Sequence, residues 1–179
     1  QSWYRENILQ VQAGLDSSQT LRGNLLPAEA PFGMNFLTPE IARFVDDWLP
    51  AAKDSGALVQ EDRLWRNLLS SMPLAFNLFV PLRKNLDLAS KAVQLISDGR
   101  VPQVMAIEFE YSPGRHDPRY TDDGTAFDVF ISFVSKSGGR GFLGIEVKYH
   151  EDMRDDSAEE RPRYAELAKE MGCFREDKL

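Results

Sequence analysis

Two apolar runs joined by a short glycine-rich segment constrain the fold of this chain more than any other feature. The runs cover residues 126–133 and 142–149, and aliphatic and aromatic residues dominate both. Between them, residues 135–141 read Ser-Lys-Ser-Gly-Gly-Arg-Gly. Apolar runs bounded by glycine are typical of β-strands, and a short polar connection is typical of a hairpin. We therefore expect two antiparallel strands here.

Strand alternation sorts the side chains of this predicted hairpin onto two faces. A hairpin centred near Ser137 places Asp128 directly opposite Glu146, and Lys148 shares the face of Glu146. The other face carries apolar side chains, namely Phe127, Val129, Ile131, Phe133, Leu143, Ile145, Val147 and Tyr149. The pattern predicts that two carboxylates and an ammonium group meet on one face, while the apolar face packs against helices.

A third strand is predicted just upstream, at residues 104–111. Its alternating residues are Met105, Ile107, Phe109 and Tyr111 on the apolar face, and Glu108 and Glu110 on the charged face. A merely solvated outer face would also explain these charges. However, Phe130, Phe142 and Gly144 fall on the charged face as well, which favours a partly covered cleft.

Helical patterns flank the three strands. Thr38 and Pro39 suit the N-cap and first position of a helix, which Pro50 is expected to end. Residues 73–80 are apolar nearly all round and predict a buried helix. A last helix is expected at about residues 157–171, packed on the sheet.

The polar loop at residues 112–125 links the first two predicted strands, and long loops of this kind are often functional. Arg115, His116 and Arg119 are expected near the acidic face. A lone loop histidine is more often a surface residue than a metal ligand, so His116 stays a minor candidate.

Composition and charge limit the classes of function. The chain has 179 residues and a net charge of −7, so binding of a polyanion must depend on a local patch or on bound cations. The single cysteine, Cys173, excludes an intramolecular disulfide and favours a reducing, cytoplasmic location. No apolar run approaches the ~18 residues of a membrane span, and we expect no membrane association.

Two carboxylates and a lysine on one sheet face have a definite chemical use. Asp128 and Glu146 are hard ligands of the kind that hold Mg²⁺ or Mn²⁺, and the carbonyl of Val147 can add another oxygen. A metal-bound water can attack a phosphodiester. Lys148 can position that water or neutralise charge on the phosphate.

This arrangement resembles the PD-(D/E)XK nuclease superfamily, with Asp128, Glu146 and Lys148 as the motif residues. Further likeness lies in Phe109-Glu-Tyr-Ser-Pro113, Ala126-Phe-Asp128, Gly144-Ile-Glu-Val-Lys-Tyr149, Ser70-Ser71 and Phe76-Asn-Leu-Phe79, as in a bacterial subgroup. The resemblance implies an α/β (α+β) restriction-endonuclease-like core, with a central mixed β-sheet flanked by helices. It also implies a divalent-metal-dependent nuclease acting on nucleic acid, with DNA as the expected substrate and an oligomeric state left open.

The resemblance divides the chain into an N-terminal helical extension, residues 1–61, and a nuclease-like domain, residues 62–179. Some family members carry a further glutamate on an earlier element, and Glu110 is favoured over Glu108 for that metal ligand. The fold also implies a strand after the last helix. Residues 173–179 are short and charged for a strand, so a truncated C-terminus or a reduced core is expected.

Two other functions remain open on the sequence. One is a catalytically inactive domain of the same fold, used for binding or regulation. The other is an interaction module whose acidic strand face meets solvent or a basic partner. A nuclease assay separates the first from an active enzyme, and stabilisation by Mg²⁺ or Mn²⁺ separates the second.

Overall fold

The computed structural model describes residues 1–150 and 161–172. The helices in this part are α1 (Ser2–Tyr4), α2 (Pro39–Asp54), α3 (Glu61–Arg66), α4 (Ser71–Lys84), α5 (Leu86–Ile96) and α6 (Pro162–Met171), with a π-helical turn at Arg5–Leu9. The strands are β1 (Gly14–Leu15), β2 (Leu21–Arg22), β3 (Gln103–Tyr111), β4 (Phe127–Val134) and β5 (Arg140–Ile145). This is the mixed α/β class that the sequence predicts.

The central sheet of the described residues has the order β3-β4-β5, and both pairs are antiparallel. Val129 on β4 lies opposite Ile145 on β5, so the predicted hairpin and its register are confirmed. Continuing this register by one residue brings Asp128 opposite Glu146. The hairpin therefore sets the two carboxylates at the same end of neighbouring strands.

The core lies between this sheet and helices α2, α4 and α5. Phe76 on α4 is at its centre and contacts the rings of Phe44, Trp48 and Phe109. Val129 and Ile131 from β4 are fully buried against the same cluster. Each side chain of this size contributes about 1.5–3 kcal/mol when it leaves water, so this packing fixes the sheet on the helices.

Helix α2 begins as the sequence predicts but extends further. The side chain of Thr38 accepts a hydrogen bond from the Ile41 N–H, and Pro39 occupies the first turn. The predicted end at Pro50 is wrong, because the helix continues to Asp54. Burial of Leu49 and Ala52 in the core holds the helix together on both sides of the proline.

Helix α4 also runs beyond its predicted bounds, and Pro73, Ala75, Phe76 and Val80 are buried as predicted, whereas Leu78 is half exposed. Asn77, its one polar residue in the apolar stretch, accepts from the Leu37 N–H and donates to the Asn35 carbonyl. The amide therefore ties the segment before α2 to α4, which is a structural role.

The predicted faces of β3 and β4 need three corrections. A bulge between Val104 and Ala106 turns Val104 into the core and leaves Met105 half exposed. Glu110 has a φ of +50°, a left-handed conformation that breaks strand alternation. Tyr111 therefore stacks on Phe130, with 4.2 Å between ring centroids, instead of following Phe109 inward. The third correction is Phe127, whose ring covers Gly144 and contacts Phe130 and Phe142 on the outer face.

The prediction that the last helix covers the sheet is wrong for its described part. Helix α6 buries no residue and instead contacts the loop between β3 and β4. There the hydroxyl of Tyr164 donates a 2.6 Å hydrogen bond to Asp123, and Arg163 donates to the carbonyl of Pro118. Ile145, which the pattern places on the face packed against helices, is only partly buried at the end of β5.

Two expectations lie partly or wholly outside the described residues. The helix start near residue 157 and the expectation that residues 173–179 supply no core strand fall in the undescribed segments. The boundary between residues 61 and 62 stays a prediction, and the core takes side chains from both sides of it. None of the described helices has the length and apolar character needed to cross a membrane.

Candidate active site

Asp128 is held in place by the backbone of the neighbouring strand. Its Oδ2 accepts a 2.6 Å hydrogen bond from the N–H of Val147. Asp128 is the second residue of β4, while Val147 follows the end of β5 and is buried. The hydrogen bond joins the two strand ends beyond their last paired residues, so the position of one carboxylate is fixed by the fold.

Glu146 and Lys148 form the second part of the site. The ammonium nitrogen of Lys148 lies 2.7 Å from Glu146 Oε1, and both side chains are more than half exposed. The predicted strand at residues 142–149 ends earlier, at Ile145, but exposure still alternates beyond it, with buried Val147 between exposed Glu146 and Lys148. An exposed pair of this kind contributes little stability, so it can open at low cost when another cation binds Glu146.

Glu110 brings a third carboxylate into the same electrostatic field. It is half-buried at the end of β3, and the pKa of its carboxyl group is raised to about 7, with burial as the largest cause. The negative charges of Asp128 and Glu146 contribute to this rise, while the charge of Arg115 opposes it. The structure thus places Glu110 within electrostatic reach of the other two carboxylates. Glu108 pairs with Phe130 and is exposed.

The donor types at this site suit a hard divalent cation. Mg²⁺ usually takes one or two carboxylates and keeps several waters, and Asp128, Glu146 and the Val147 carbonyl offer that set. Across residues 1–150 and 161–172, however, no three His, Cys, Asp or Glu side chains stand close enough together to hold a metal ion. Glu110 therefore acts on the two other carboxylates through its charge in this arrangement.

A cleft of about 480 Å³ opens beside Glu110, between α2 and the end of β3. We call it the α2–β3 cleft, and its lining residues are Phe44, Trp48, Ser55, Arg83, Glu108, Phe109, Glu110, Tyr111, Ser112 and Arg115. Glu110 lines the cleft and is also one of the three neighbouring carboxylates, with Asp128 and Glu146. Anything bound in the cleft therefore lies next to the candidate active site.

Two arginines line the α2–β3 cleft, and both are held by backbone carbonyls. Arg115 Nη2 donates a 2.7 Å hydrogen bond to the carbonyl of Glu110, and Arg83 Nε donates a 2.9 Å bond to that of Ile107. Sequence reasoning placed Arg115 near the acidic face but missed Arg83. Arg83 lies in the last turn of α4, and nothing local in the sequence indicates that this turn reaches β3.

The other loop candidates are placed elsewhere. The backbone N–H of His116 donates to the carbonyl of Asp123, which keeps the loop folded on itself. The guanidinium of Arg119 pairs with Asp117 and is largely exposed. The described contacts of these two residues are therefore internal to the loop and do not reach Asp128 or Glu146.

The family comparison agrees with this fold. A model of the PD-(D/E)XK nuclease superfamily matches residues 1–179, the whole chain. The chain therefore belongs to the PD-(D/E)XK nuclease superfamily, and its mixed α/β architecture is consistent with the restriction-endonuclease-like fold. Members of the superfamily are typically nucleases and generally use divalent metals. Neither the search of curated proteins nor that of solved structures found a match.

Proposed function

We propose that this protein is a Mg²⁺- or Mn²⁺-dependent nuclease that hydrolyses phosphodiester bonds in DNA. The observation that carries the proposal is the meeting of Asp128 and Glu146 at the ends of β4 and β5, with Lys148 beside Glu146. Membership of a nuclease superfamily supports the reaction class. The choice of DNA rests on the sequence resemblance, and the single cysteine favours a cytoplasmic location.

Asp128 and Glu146 are the residues proposed to hold the ion, with the Val147 carbonyl as a third oxygen donor. When bound, the ion supplies an activated water and positive charge for the phosphate. The Val147 N–H donates to Asp128 Oδ2, so the backbone of the neighbouring strand end holds this carboxylate in place. Glu146 becomes a ligand when its exposed contact with Lys148 opens.

Lys148 and Glu110 complete the proposed machinery. Once released from Glu146, the Lys148 ammonium can orient the attacking water and neutralise charge that develops on the phosphate oxygen. Glu110, whose pKa is about 7, can accept or release a proton near neutral pH. Its charge also adds to the negative field that attracts a cation.

The test measures cleavage and ion binding separately. We expect the purified full chain to cut plasmid or oligonucleotide DNA in Mg²⁺ or Mn²⁺ and not in EDTA. Asp128→Asn and Glu146→Gln should each abolish cleavage, since both keep the side-chain shape but remove a charge that a hard cation needs. Calorimetric titration of Mn²⁺ should show weakened binding in both variants.

Lys148→Ala separates chemistry from ion binding. We expect this variant to lose most cleavage yet to bind Mn²⁺ at least as tightly as the parent, because a competing cation is gone from Glu146. Lys136→Ala, in the β4–β5 turn, is the matched control and should cut like the parent. If the parent binds Mn²⁺ but cuts no nucleic acid, the result favours the inactive-domain alternative. If Asp128→Asn and Glu146→Gln bind Mn²⁺ as tightly as the parent, the assigned metal ligands are wrong.

A further inference from the structure

The α2–β3 cleft has the dimensions of a small-molecule site. Its volume of about 480 Å³ falls within the about 300–1,000 Å³ that is typical of pockets for ligands of drug size. A single nucleotide belongs to this size class, whereas a base-paired duplex is far too wide to enter. The size of the cleft therefore favours a single unpaired nucleotide of a nucleic-acid strand.

Four charged residues line the cleft, namely Arg83, Arg115, Glu108 and Glu110. In a protein of net charge −7, the two guanidinium groups are the part of this lining that can bind a phosphate. Neither arginine forms an ion pair with a carboxylate of the described residues. Each donates one hydrogen bond to a backbone carbonyl. Arg115 Nε is buried and has no hydrogen-bond partner. Arginine presents several donors to phosphate in a planar fork, so these two residues can bind one without first breaking a salt bridge.

The cleft lining also includes the aromatic rings of Trp48 and Phe44. The indole ring of Trp48 is fixed by a T-shaped contact with Phe76, with centroids 4.9 Å apart. The ring of Phe44 packs against Phe76 and Phe109, and the Arg83 guanidinium lies 5.1 Å from its centroid. Aromatic and guanidinium planes are the surfaces on which unpaired bases stack. The cleft lining thus includes both aromatic rings that can stack on a base and guanidinium groups that can bind a phosphate.

We propose that the α2–β3 cleft binds one unpaired nucleotide of the substrate strand, with its base against Trp48 and its phosphate at Arg83 and Arg115. The inference rests on the proposed nuclease function, since it names the form of nucleic acid that the site takes. Glu110 lines the cleft and lies within electrostatic reach of Asp128 and Glu146. The bound nucleotide is then next to the phosphodiester that is cut. Substrates with a single-stranded end or gap are preferred over fully paired DNA.

The experiment measures DNA binding without catalysis. Fluorescence anisotropy in EDTA compares the full chain on two labelled DNA hairpins, one blunt and one with a three-nucleotide single-stranded extension. We expect the extended hairpin to bind about 5- to 100-fold more tightly, the range that stacking of one base contributes. Arg115→Ala and Arg83→Ala should each remove most of this preference and lower the salt dependence for the extended hairpin by about one phosphate contact.

Controls keep the result specific to the cleft. Lys91→Ala on α5 removes one exposed positive charge away from the cleft and should keep the preference of the parent. Affinity for the blunt hairpin should be unchanged, within about twofold, in all three variants. If Arg115→Ala fails to fold because the Glu110 carbonyl loses its partner, Arg83→Ala decides alone.

The outcomes separate this inference from the proposed function. Equal affinity of the parent for both hairpins, or a preference that survives in the arginine variants, overturns the inference even if Mn²⁺-dependent cleavage is observed. A preference that depends on both arginines, in a protein that cuts neither hairpin with Mn²⁺, supports the nucleotide cleft and overturns the nuclease assignment.

Discussion

The N–H of Val147 donates its hydrogen bond to Asp128 Oδ2, so the candidate metal ligand on β4 is also a structural link to β5. Val147 is buried, and its N–H would lack this acceptor if the carboxylate were removed. The same side chain therefore serves the fold and the proposed chemistry. Stability and activity must be measured separately at this residue.

We predict that Asp128→Ala and Asp128→Asn differ in stability. The alanine variant should lose about 1–3 kcal/mol of unfolding free energy, because a buried N–H is left without its partner. The asparagine variant keeps an acceptor oxygen and should stay within about 1 kcal/mol of the parent. Urea denaturation in EDTA measures both values. Equal losses in the two variants would show that the hydrogen bond is not what Asp128 contributes to the fold.

A second prediction concerns pH and Glu110. Burial and the charge of Asp128 raise the pKa of Glu110 to about 7 in the native state, whereas the unfolded value is near 4.3. The native state therefore holds a proton that the unfolded state has lost, and the free energy of unfolding falls as pH rises between these two values. Glu110→Gln removes this loss.

We expect the free energy of unfolding of Glu110→Gln to equal that of the parent near pH 4. At pH 8 it should exceed that of the parent by on the order of 1 kcal/mol, a figure discounted for the partial exposure of the group. Urea denaturation in EDTA at several pH values is the measurement. The comparison at low pH is the internal control, because a protonated carboxyl and an amide then have similar shape and equal charge. A constant difference across pH would contradict the assigned titration.

The third prediction tests the close contact between Gly144 and Phe127. A Cβ on Gly144 would lie 2.3 Å from the Phe127 ring, so Gly144→Ala must displace the residue that precedes Asp128. Overpacking of this kind costs about 1–3 kcal/mol, and cleavage should fall as well. Gly139→Ala, in the turn of the same hairpin, meets only an ordinary contact with Ser135 and is the matched control. Similar stability and activity of both variants would rule out this contact as a constraint on the site.

The hairpin shows what the sequence could predict. Its register follows from the turn position alone, because a two-residue period fixes every pair once the centre is known. The centre at Ser137 gives the observed pairing of Val129 with Ile145. The placement of Asp128 on β4 across from Glu146, which directly follows β5, was therefore predictable from local pattern.

The strand ends show why the rest was not predictable. The left-handed backbone of Glu110 and the bulge at Met105 are single-residue irregularities that shift side chains between faces. Neither residue is a glycine or asparagine that would indicate such a conformation. The α2–β3 cleft is likewise lined by residues such as Trp48 and Arg115 that are far apart in sequence, and a periodic pattern carries no information on how they come together.

The last prediction concerns the anchor of helix α6. Asp123 is buried and accepts hydrogen bonds from the Tyr164 hydroxyl, the Thr125 N–H and the Thr121 hydroxyl. The hydrogen bond from Tyr164 is the largest cause of the lowered pKa of Asp123. A ten-residue helix is marginal without tertiary contacts, so Tyr164→Phe should raise amide hydrogen-exchange rates in α6 by about fivefold or more at pH 7.

Because a lowered carboxyl pKa contributes stability that is present above the unfolded pKa and lost below it, the difference in exchange rate between Tyr164→Phe and the parent should shrink below about pH 4. Tyr4→Phe, at the other end of the chain, is the control and should leave exchange in α6 unchanged. If Tyr164→Phe also leaves it unchanged at pH 7, the contact with Asp123 does not hold the helix on the β3–β4 loop.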